Sequence, residues 1–168
     1  MKDRQVIARC TCGQVEIAAW GKPIASVICH CDDCRAAGQM LAELPDAPPL
    51  LDAAGGTANV LYRKDRVQVS KGGHLLEAHK LTPESKTNRM VAACCNTPMA
   101  ITFDDARHWV PLYRDRLDGA VPPVQWRICT KFKPDDATLP EDVPGHDMYP
   151  FGMMAALALS AVAMLLER

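Results

Sequence analysis

Aromatic residues are scarce in this chain, at only 5% of its 168 residues. One domain of this length can bury a substantial core, but few large side chains are available to fill it. Bound metal would usefully supplement such a core. An excess of charge of either sign is also lacking, because the formal net charge is -1 and the lysines and arginines are scattered. This distribution argues against a nucleic-acid-binding surface.

Several catalytic motifs are absent as well. The chain contains no Gly-x-Ser-x-Gly element, phosphate-binding loop or dinucleotide-binding fingerprint. Four of its histidines, His74, His79, His108 and His146, show no spacing typical of a catalytic pair. No apolar leader follows the charged residues 2–4. We therefore expect a reducing, cytoplasmic compartment in which cysteines remain free thiols.

Cysteine is the informative residue that is present. Seven of the eight cysteines fall in close groups: Cys10 and Cys12; Cys29, Cys31 and Cys34; and Cys94 and Cys95. Neighbours one residue apart do not readily reach disulfide geometry, whereas a sharp turn can direct both thiolates to one ion. Gly13 suits such a turn because it tolerates positive φ. The pattern predicts bound zinc, with one or two ions per chain.

The middle group has two interpretations. Three thiolates leave a tetrahedral zinc with one open position for water or a substrate sulfur. The alternative is a closed site in which Cys94, His30 or a distant residue supplies the fourth ligand. We expect His30 to pack or to support a ligand, because its side chain points away from its neighbours' in an extended segment. Cys129, alone in an apolar stretch, is most simply a small core residue.

Charged residues next to the middle group are ambiguous. Asp32 and Asp33 are candidates for a base beside the metal, but as neighbours at a helix start they are more simply acids of the first turn. Arg35 is either a counter-charge to the thiolates or an ordinary solvated helix residue. The sequence therefore assigns no catalytic acid or base.

Short β-like segments separated by Gly, Pro and Asp predict a mainly β fold. A short helix is expected at 32–40, with Gly38 as a possible end. The predicted strands cover residues 5–9, 14–19, 24–29, 58–62, 66–70, 75–81, 90–93, 100–103 and 109–113.

The stretch 148–166 lacks charged residues and is rich in Ala, Leu and Met, which predicts a helix. Asp147 is a candidate cap and Pro150 suits the first turn. Small residues at four-residue intervals, Gly152, Ala156 and Ser160, would suit a membrane helix. The run is short for a span, so we expect packing on protein. The predicted organisation is a zinc-binding β domain at 1–133, a Pro-rich connection at 134–150 and an apolar helix at 151–167.

The cysteine motifs also carry a family resemblance. Cys-x-Cys-Gly, then Cys-His-Cys-x-x-Cys-Arg with a later glycine, then a cysteine before Thr-Pro, resembles the glutathione-dependent formaldehyde-activating enzyme family, which includes centromere protein V. The matching residues are Cys10, Cys12, Gly13, Cys29, His30, Cys31, Cys34, Arg35, Gly38, Cys95, Thr97 and Pro98.

The resemblance implies a mainly β zinc fold of complex sheets. It also implies a structural zinc held by the first Cys pair and a later Cys-x-x-Cys, and a second zinc held by the middle group. Here the later motif is altered. Aligned on Thr97, Cys95 takes the place of the second family cysteine, Ala92 that of the first and Asn96 that of a glycine. We therefore predict Cys10, Cys12 and Cys95 as structural ligands. Cys94, which would point elsewhere on an extended chain, has an open role.

Two functions follow as hypotheses. The resemblance implies a zinc-dependent carbon-sulfur lyase acting on a small thiol, such as glutathione, or on its adduct. The alternative is a non-catalytic zinc module that binds a protein or peptide. The sequence itself supports the metal more strongly than the chemistry, and it leaves open whether the protein is an enzyme.

Overall fold

The computed structural model describes residues 5–167, which form two β-sheets and two α-helices. The mainly β fold class predicted from the sequence is confirmed, as are a helix after the second cysteine group and a C-terminal helix. Residues 1–4 of the predicted β domain lie outside the described residues.

The strands follow the chain in order. They are β1 Gln5–Arg9, β2 Glu16–Trp20, β3 Ala25–Cys29, β4 Thr57–Arg63, β5 Val67–Lys71, β6 Leu76–His79, β7 Thr87–Ala92, β8 Thr97–Phe103, β9 Trp109–Tyr113, β10 Leu117–Asp118 and β11 Trp126–Ile128. Short 3-10 turns occur at Lys64–Arg66, Gly73–Leu75, Arg114–Arg116 and Thr130–Phe132.

The smaller sheet has the order β10-β1-β2-β5 and the larger has the order β11-β3-β4-β9-β8-β7-β6. Neighbouring strands run antiparallel, except that β11 pairs parallel to β3. In that pair Ile128 lies opposite Cys29. The late strand β11 is therefore placed beside the strand that leads into the middle cysteine group.

The core has two parts, one on each face of β4. Val60 and Tyr62 pack with Val6 and Ile17 of the smaller sheet, whereas Leu61 packs with Met153 and other residues of the C-terminal helix. Side chains alternate between the faces of a strand, so β4 is buried on both sides. The larger sheet thus lies between the smaller sheet and the C-terminal helix.

Helix α1, Asp32–Ala42, begins at Cys31, whose sulfur accepts a hydrogen bond from the backbone N–H of Cys34. Asp32 and Asp33 occupy its first turn, where acids favour a helix N-terminus. Gly38 does not end the helix, although the sequence suggested that it could. It is buried in the helix, where an added Cβ would lie 2.4 Å from a side-chain carbon of Leu51. Its small size is required by packing.

Helix α2, Phe151–Leu166, packs through Met153, Leu157 and Met164. Its N-cap is Pro150, and no side chain caps it. Asp147, the predicted cap, instead accepts a hydrogen bond from the Thr130 hydroxyl at 3.2 Å.

Polar contacts fix α2 to the sheet. The Ser160 hydroxyl lies 2.7 Å from His108 Nε2, and Glu167 pairs with Arg63 and Arg66, each at 2.9 Å. Among the described residues, no helix has the length and apolar character needed to cross a bilayer.

Shortening a side chain should affect the stability of the protein differently on the two faces of α2. Leu157 is 8% exposed and Leu159 is 71% exposed. Leu157→Ala should lower the free energy of unfolding by about 2 kcal/mol or more, because it removes buried methyl groups and leaves a cavity. Leu159→Ala should change it by less than about 0.5 kcal/mol. Urea denaturation of both variants measures the difference, and equal effects would contradict this packing.

Candidate metal centres and adjoining cavity

Four cysteine sulfurs converge in the first cluster, which consists of Cys10, Cys12, Cys94 and Cys95. All four Sγ atoms lie within 4.8 Å of one another. The Cys12 and Cys94 sulfurs are 3.3 Å apart, and those of Cys10 and Cys12 are 3.6 Å apart. The sulfurs of Cys10 and Cys94 are 3.9 Å apart, and those of Cys94 and Cys95 are 3.8 Å apart. Tetrahedral zinc with Zn–S bonds of about 2.3 Å requires sulfurs about 3.8 Å apart. The cluster therefore fits a four-thiolate metal ion.

Two tight turns create this convergence. Gly13 has φ of 72° and donates a backbone hydrogen bond to Cys10, which folds the first turn back on itself. Asn96 has φ of 51°, so it supplies the left-handed turn conformation for which it is tolerant. The chain at Cys94 and Cys95 is consequently a turn and not an extended strand. Both sulfurs face the cluster, contrary to the expectation that they diverge.

The placement of Cys94 decides between two alternatives. Its sulfur lies with Cys10 and Cys12, and it is not a member of the group formed by the middle cysteines. The alternative in which Cys94 completes the middle site is therefore wrong. Cys94, two positions after Ala92, therefore supplies the fourth sulfur of the first cluster.

Threonine hydroxyls support the first cluster. The Thr97 hydroxyl lies 3.0 Å from Cys95 Sγ and contacts the hydroxyl of Thr11. Burial opposes ionisation of Cys95, but hydrogen bonds from both hydroxyls and from the Cys12 backbone prevail and lower its pKa to about 5. At least one cysteine of this cluster thus favours the thiolate, which is the form that binds metal.

The second cluster consists of Cys29, Cys31 and Cys34, whose Sγ atoms all lie within 4.8 Å of one another. Cys29 ends β3, Cys31 caps α1 and Cys34 lies in its first turn. Hydrogen bonding with the other two thiols lowers the pKa of Cys31 well below its usual range. Backbone N–H groups at the helix start act in the same direction. Three converging thiols of this kind could hold a metal ion and leave one position of a tetrahedron.

A cavity of about 350 Å³ adjoins the second cluster. The three cysteines line it, and its apolar walls include Phe103 and Trp109 of the larger sheet and Met153 and Leu157 of α2. Its size falls at the lower end of the range of small-molecule sites, about 300–1,000 Å³. Helix α2 is therefore a wall of this cavity as well as a packing element.

Arg89 is a lining residue that sequence reasoning missed. It is 3% exposed, and among residues 5–167 no carboxylate lies within salt-bridge distance of it. Its guanidinium donates only long hydrogen bonds, of 3.3 Å to the Asp33 carbonyl and 3.5 Å to the Thr87 carbonyl, and its Nε has no partner. A buried cation without a counter-ion is costly, so an anion is expected nearby.

His30 packs behind the second cluster, as expected from its position between two cysteines. It is fully buried, and its Nε2 lies 3.4 Å from Nη1 of Arg127. Burial is the main cause that lowers its pKa, so the imidazole remains neutral. Arg127 is paired with Asp52 at 3.0 Å and with Asp142 at 3.1 Å. This network joins three distant segments behind the cysteines, and no local sequence signal indicates it.

Cys129 also lies at the second cluster. It is 2% exposed and packs in one apolar cluster with Cys29, Cys31 and Cys34.

The remaining charged candidate, Arg35, donates to the carbonyl of Phe132 and lies 3.7 Å from Asp32. It is therefore engaged in joining α1 to the chain after β11.

The first two cysteine groups lie within a segment that matches a known protein family. A family sequence model described as glutathione-dependent formaldehyde-activating enzyme matches residues 5–44. A Rhodobacter sphaeroides protein, solved crystallographically as a structural genomics target, is similar with 16% identity and a TM-score of 0.49. That similarity covers 69% of this chain and 91% of the other. No curated protein matches.

The matched segment contains both N-terminal motifs, with Cys10 and Cys12 of the first cluster and the three cysteines of the second. The predicted resemblance to the glutathione-dependent formaldehyde-activating enzyme family is thereby confirmed over residues 5–44.

Proposed function

We propose that this protein is a zinc-dependent carbon-sulfur lyase that acts on a small thiol, or on a glutathione-type thiol adduct, at the second cluster. The observation that carries the proposal is a set of three cysteine sulfurs opening on a cavity of about 350 Å³. Zinc held there by Cys29, Cys31 and Cys34 would stabilise a sulfur ligand as thiolate. Free thiols at both clusters suit a reducing compartment such as the cytoplasm.

The proposed reaction cleaves a hydroxymethyl thioether. The carbon-sulfur bond breaks, its electron pair goes to sulfur, and the hydroxyl proton is released as the carbon leaves as an aldehyde. The reverse direction forms the adduct from a thiol and an aldehyde. The apolar walls exclude water from the departing thiolate, which strengthens the electrostatic stabilisation available to it.

Arg89 supports an anionic substrate. Its buried guanidinium lines the same cavity as the three sulfurs and has no carboxylate partner among the described residues. A substrate carboxylate would supply that partner, and charge-assisted hydrogen bonds of this kind are strong. Glutathione carries carboxylates as well as a thiol, so both features of the cavity would be used.

The second candidate function is a non-catalytic zinc module that binds a protein or peptide. The observation that favours it is the exposed apolar side of α2, where Phe151, Leu159 and Leu166 are more than two-thirds solvent-exposed. In this case the second cluster would be inert toward added thiols.

We propose the first cluster as a structural zinc site. Its ligands join the turn after β1 to the turn after β7, so bound zinc closes a long loop and stabilises the folded state. Cys12→Ala should lower the melting temperature and the zinc content together. Gln14→Ala, at an exposed position in the same turn, should change neither. An unchanged melting temperature with full zinc content in Cys12→Ala would refute the site.

Ligand exchange at the second cluster separates the two functions. In cobalt-substituted protein, added glutathione should change the visible spectrum, because its sulfur enters the coordination sphere. Cys31→Ser should abolish this response, whereas Cys94→Ser, which alters the first cluster, should retain it. A wild-type spectrum that is indifferent to glutathione would exclude the lyase and favour the module.

The role of Arg89 can be measured with a pair of ligands. Arg89→Gln should weaken glutathione binding by about tenfold or more, the loss expected for a charge-assisted hydrogen bond. Binding of 2-mercaptoethanol, a thiol without a carboxylate, should change much less. The ratio between the two ligands, from cobalt titrations, cancels any general damage to the site. An equal loss for both would show that Arg89 does not recognise a carboxylate.

A further inference from the structure

Asn59 is a buried wall residue of the cavity that the proposed function leaves without a role. It lies on β4, lines the cavity together with the three cysteines of the second cluster, and is 4% exposed. Its Nδ2 donates a hydrogen bond to the backbone carbonyl of Thr57 at 3.1 Å. A carbonyl only accepts, so this bond fixes which way the amide is turned. The side-chain oxygen Oδ1 is left, and among residues 5–167 it has no hydrogen-bond partner.

Strand pairing places Asn59 close to the sulfurs of the second cluster. In the pairing of β3 with β4, Cys29 lies opposite Thr57 and Val27 lies opposite Asn59. These four residues share one face of the sheet, because residues two apart on a strand point the same way. Diagonal neighbours such as Cys29 and Asn59 have Cβ atoms about 7 Å apart. A molecule whose sulfur is bound at the second cluster therefore has Asn59 beside it.

Arg89 offers the complementary group on the other side of the cluster. Its guanidinium reaches the carbonyl of Asp33, which precedes Cys34 in the chain, and its buried Nε has no partner among the described residues. The cavity wall thus holds an unpaired acceptor near Cys29 and an unpaired donor near Cys34. Buried polar groups without partners cost free energy, and a bound molecule that pairs with both regains it.

We propose that Asn59 is a specificity-determining residue, whose Oδ1 accepts a hydrogen bond from the nitrogen of a cysteinyl thiol bound at the second cluster. This role rests on the proposed function, and it narrows the substrate from small thiols in general to those with an N–H beside the sulfur-bearing carbon. In a cysteinyl group one carbon joins the nitrogen, the carboxyl carbon and the carbon that bears sulfur. Such a group brings a donor to Asn59 as its sulfur enters the cluster, and a carboxylate on the same molecule meets Arg89.

A thiol without nitrogen would leave the Asn59 oxygen unpaired when it binds. A site that hydrogen-bonds a substrate N–H discriminates for this reason against the analogue that lacks it. The neighbours of Asn59 on the cavity wall, Val27 and Leu61, are apolar and supply no side-chain donor in its place. Asn59 therefore selects among thiols and takes no part in breaking the carbon-sulfur bond.

Two thiols that differ only in an acetamido group test this role. N-acetylcysteine carries a thiol, a carboxylate and an N–H, and 3-mercaptopropionate is the same molecule without the acetamido group. In titrations of cobalt-substituted protein, Asn59→Leu should lower the affinity for N-acetylcysteine relative to 3-mercaptopropionate by about fivefold, the loss expected for one neutral hydrogen bond. Asn59→Ala, the second variant, should lower this ratio to a similar extent. Arg89→Gln, the control, should weaken both thiols and leave the ratio nearly unchanged.

A thiol-free analogue separates this role from the lyase. N-acetyl-2-aminobutyrate has a methyl group in place of the thiol, and calorimetry measures its binding to zinc-loaded protein. If both thiols change the cobalt spectrum but neither Asn59 variant changes the ratio, recognition by Asn59 is wrong and ligand exchange stands. If neither thiol changes the spectrum but the analogue binds and Asn59→Leu weakens it, the lyase fails and the Asn59 contact remains. Failure of all three compounds to bind the wild type would overturn both.

Discussion

The convergence of four thiols from two remote turns is the constraint that joins the smaller sheet to the larger one. Cys12 and Cys94 are 82 residues apart in sequence, yet their sulfurs are 3.3 Å apart. Thiolates at this separation repel one another unless a cation lies between them. A metal ion would remove this repulsion and close the loop, and in doing so it would compensate for a core with few aromatic side chains.

Two buried arginines, Arg127 and Arg89, lie near the second cluster. Arg127 is neutralised by Asp52 and Asp142. It also contacts the neutral ring of His30, a residue that lies between two cysteines in the sequence. Arg89 has no such carboxylate partner within residues 5–167, and it lines the cavity. The paired arginine is therefore structural, and the other is available for an anion, such as a thiolate of the second cluster.

The parts that could be predicted from sequence are those encoded locally. Short β-like segments separated by Gly, Pro and Asp indicated nine strands, and helix-favouring composition indicated both helices, because these signals lie in adjacent residues. β10 and β11 were missed, since segments of two and three residues carry no periodic signal. Cys94 was misplaced because a turn through Asn96 overrides the alternation of an extended chain. Arg89 and Cys129 depend on pairing between distant strands, which no local pattern reveals.

The segment after β11 completes the wall of the cavity beside the second cluster. Asp142 fixes it to the buried Arg127, Tyr149 lines the cavity, and α2 then closes one side with Met153 and Leu157. The family model ends at residue 44, well before these elements. The cysteines of the second cluster therefore lie within the matched segment, whereas most of the apolar wall of the cavity beside them is built by residues beyond it.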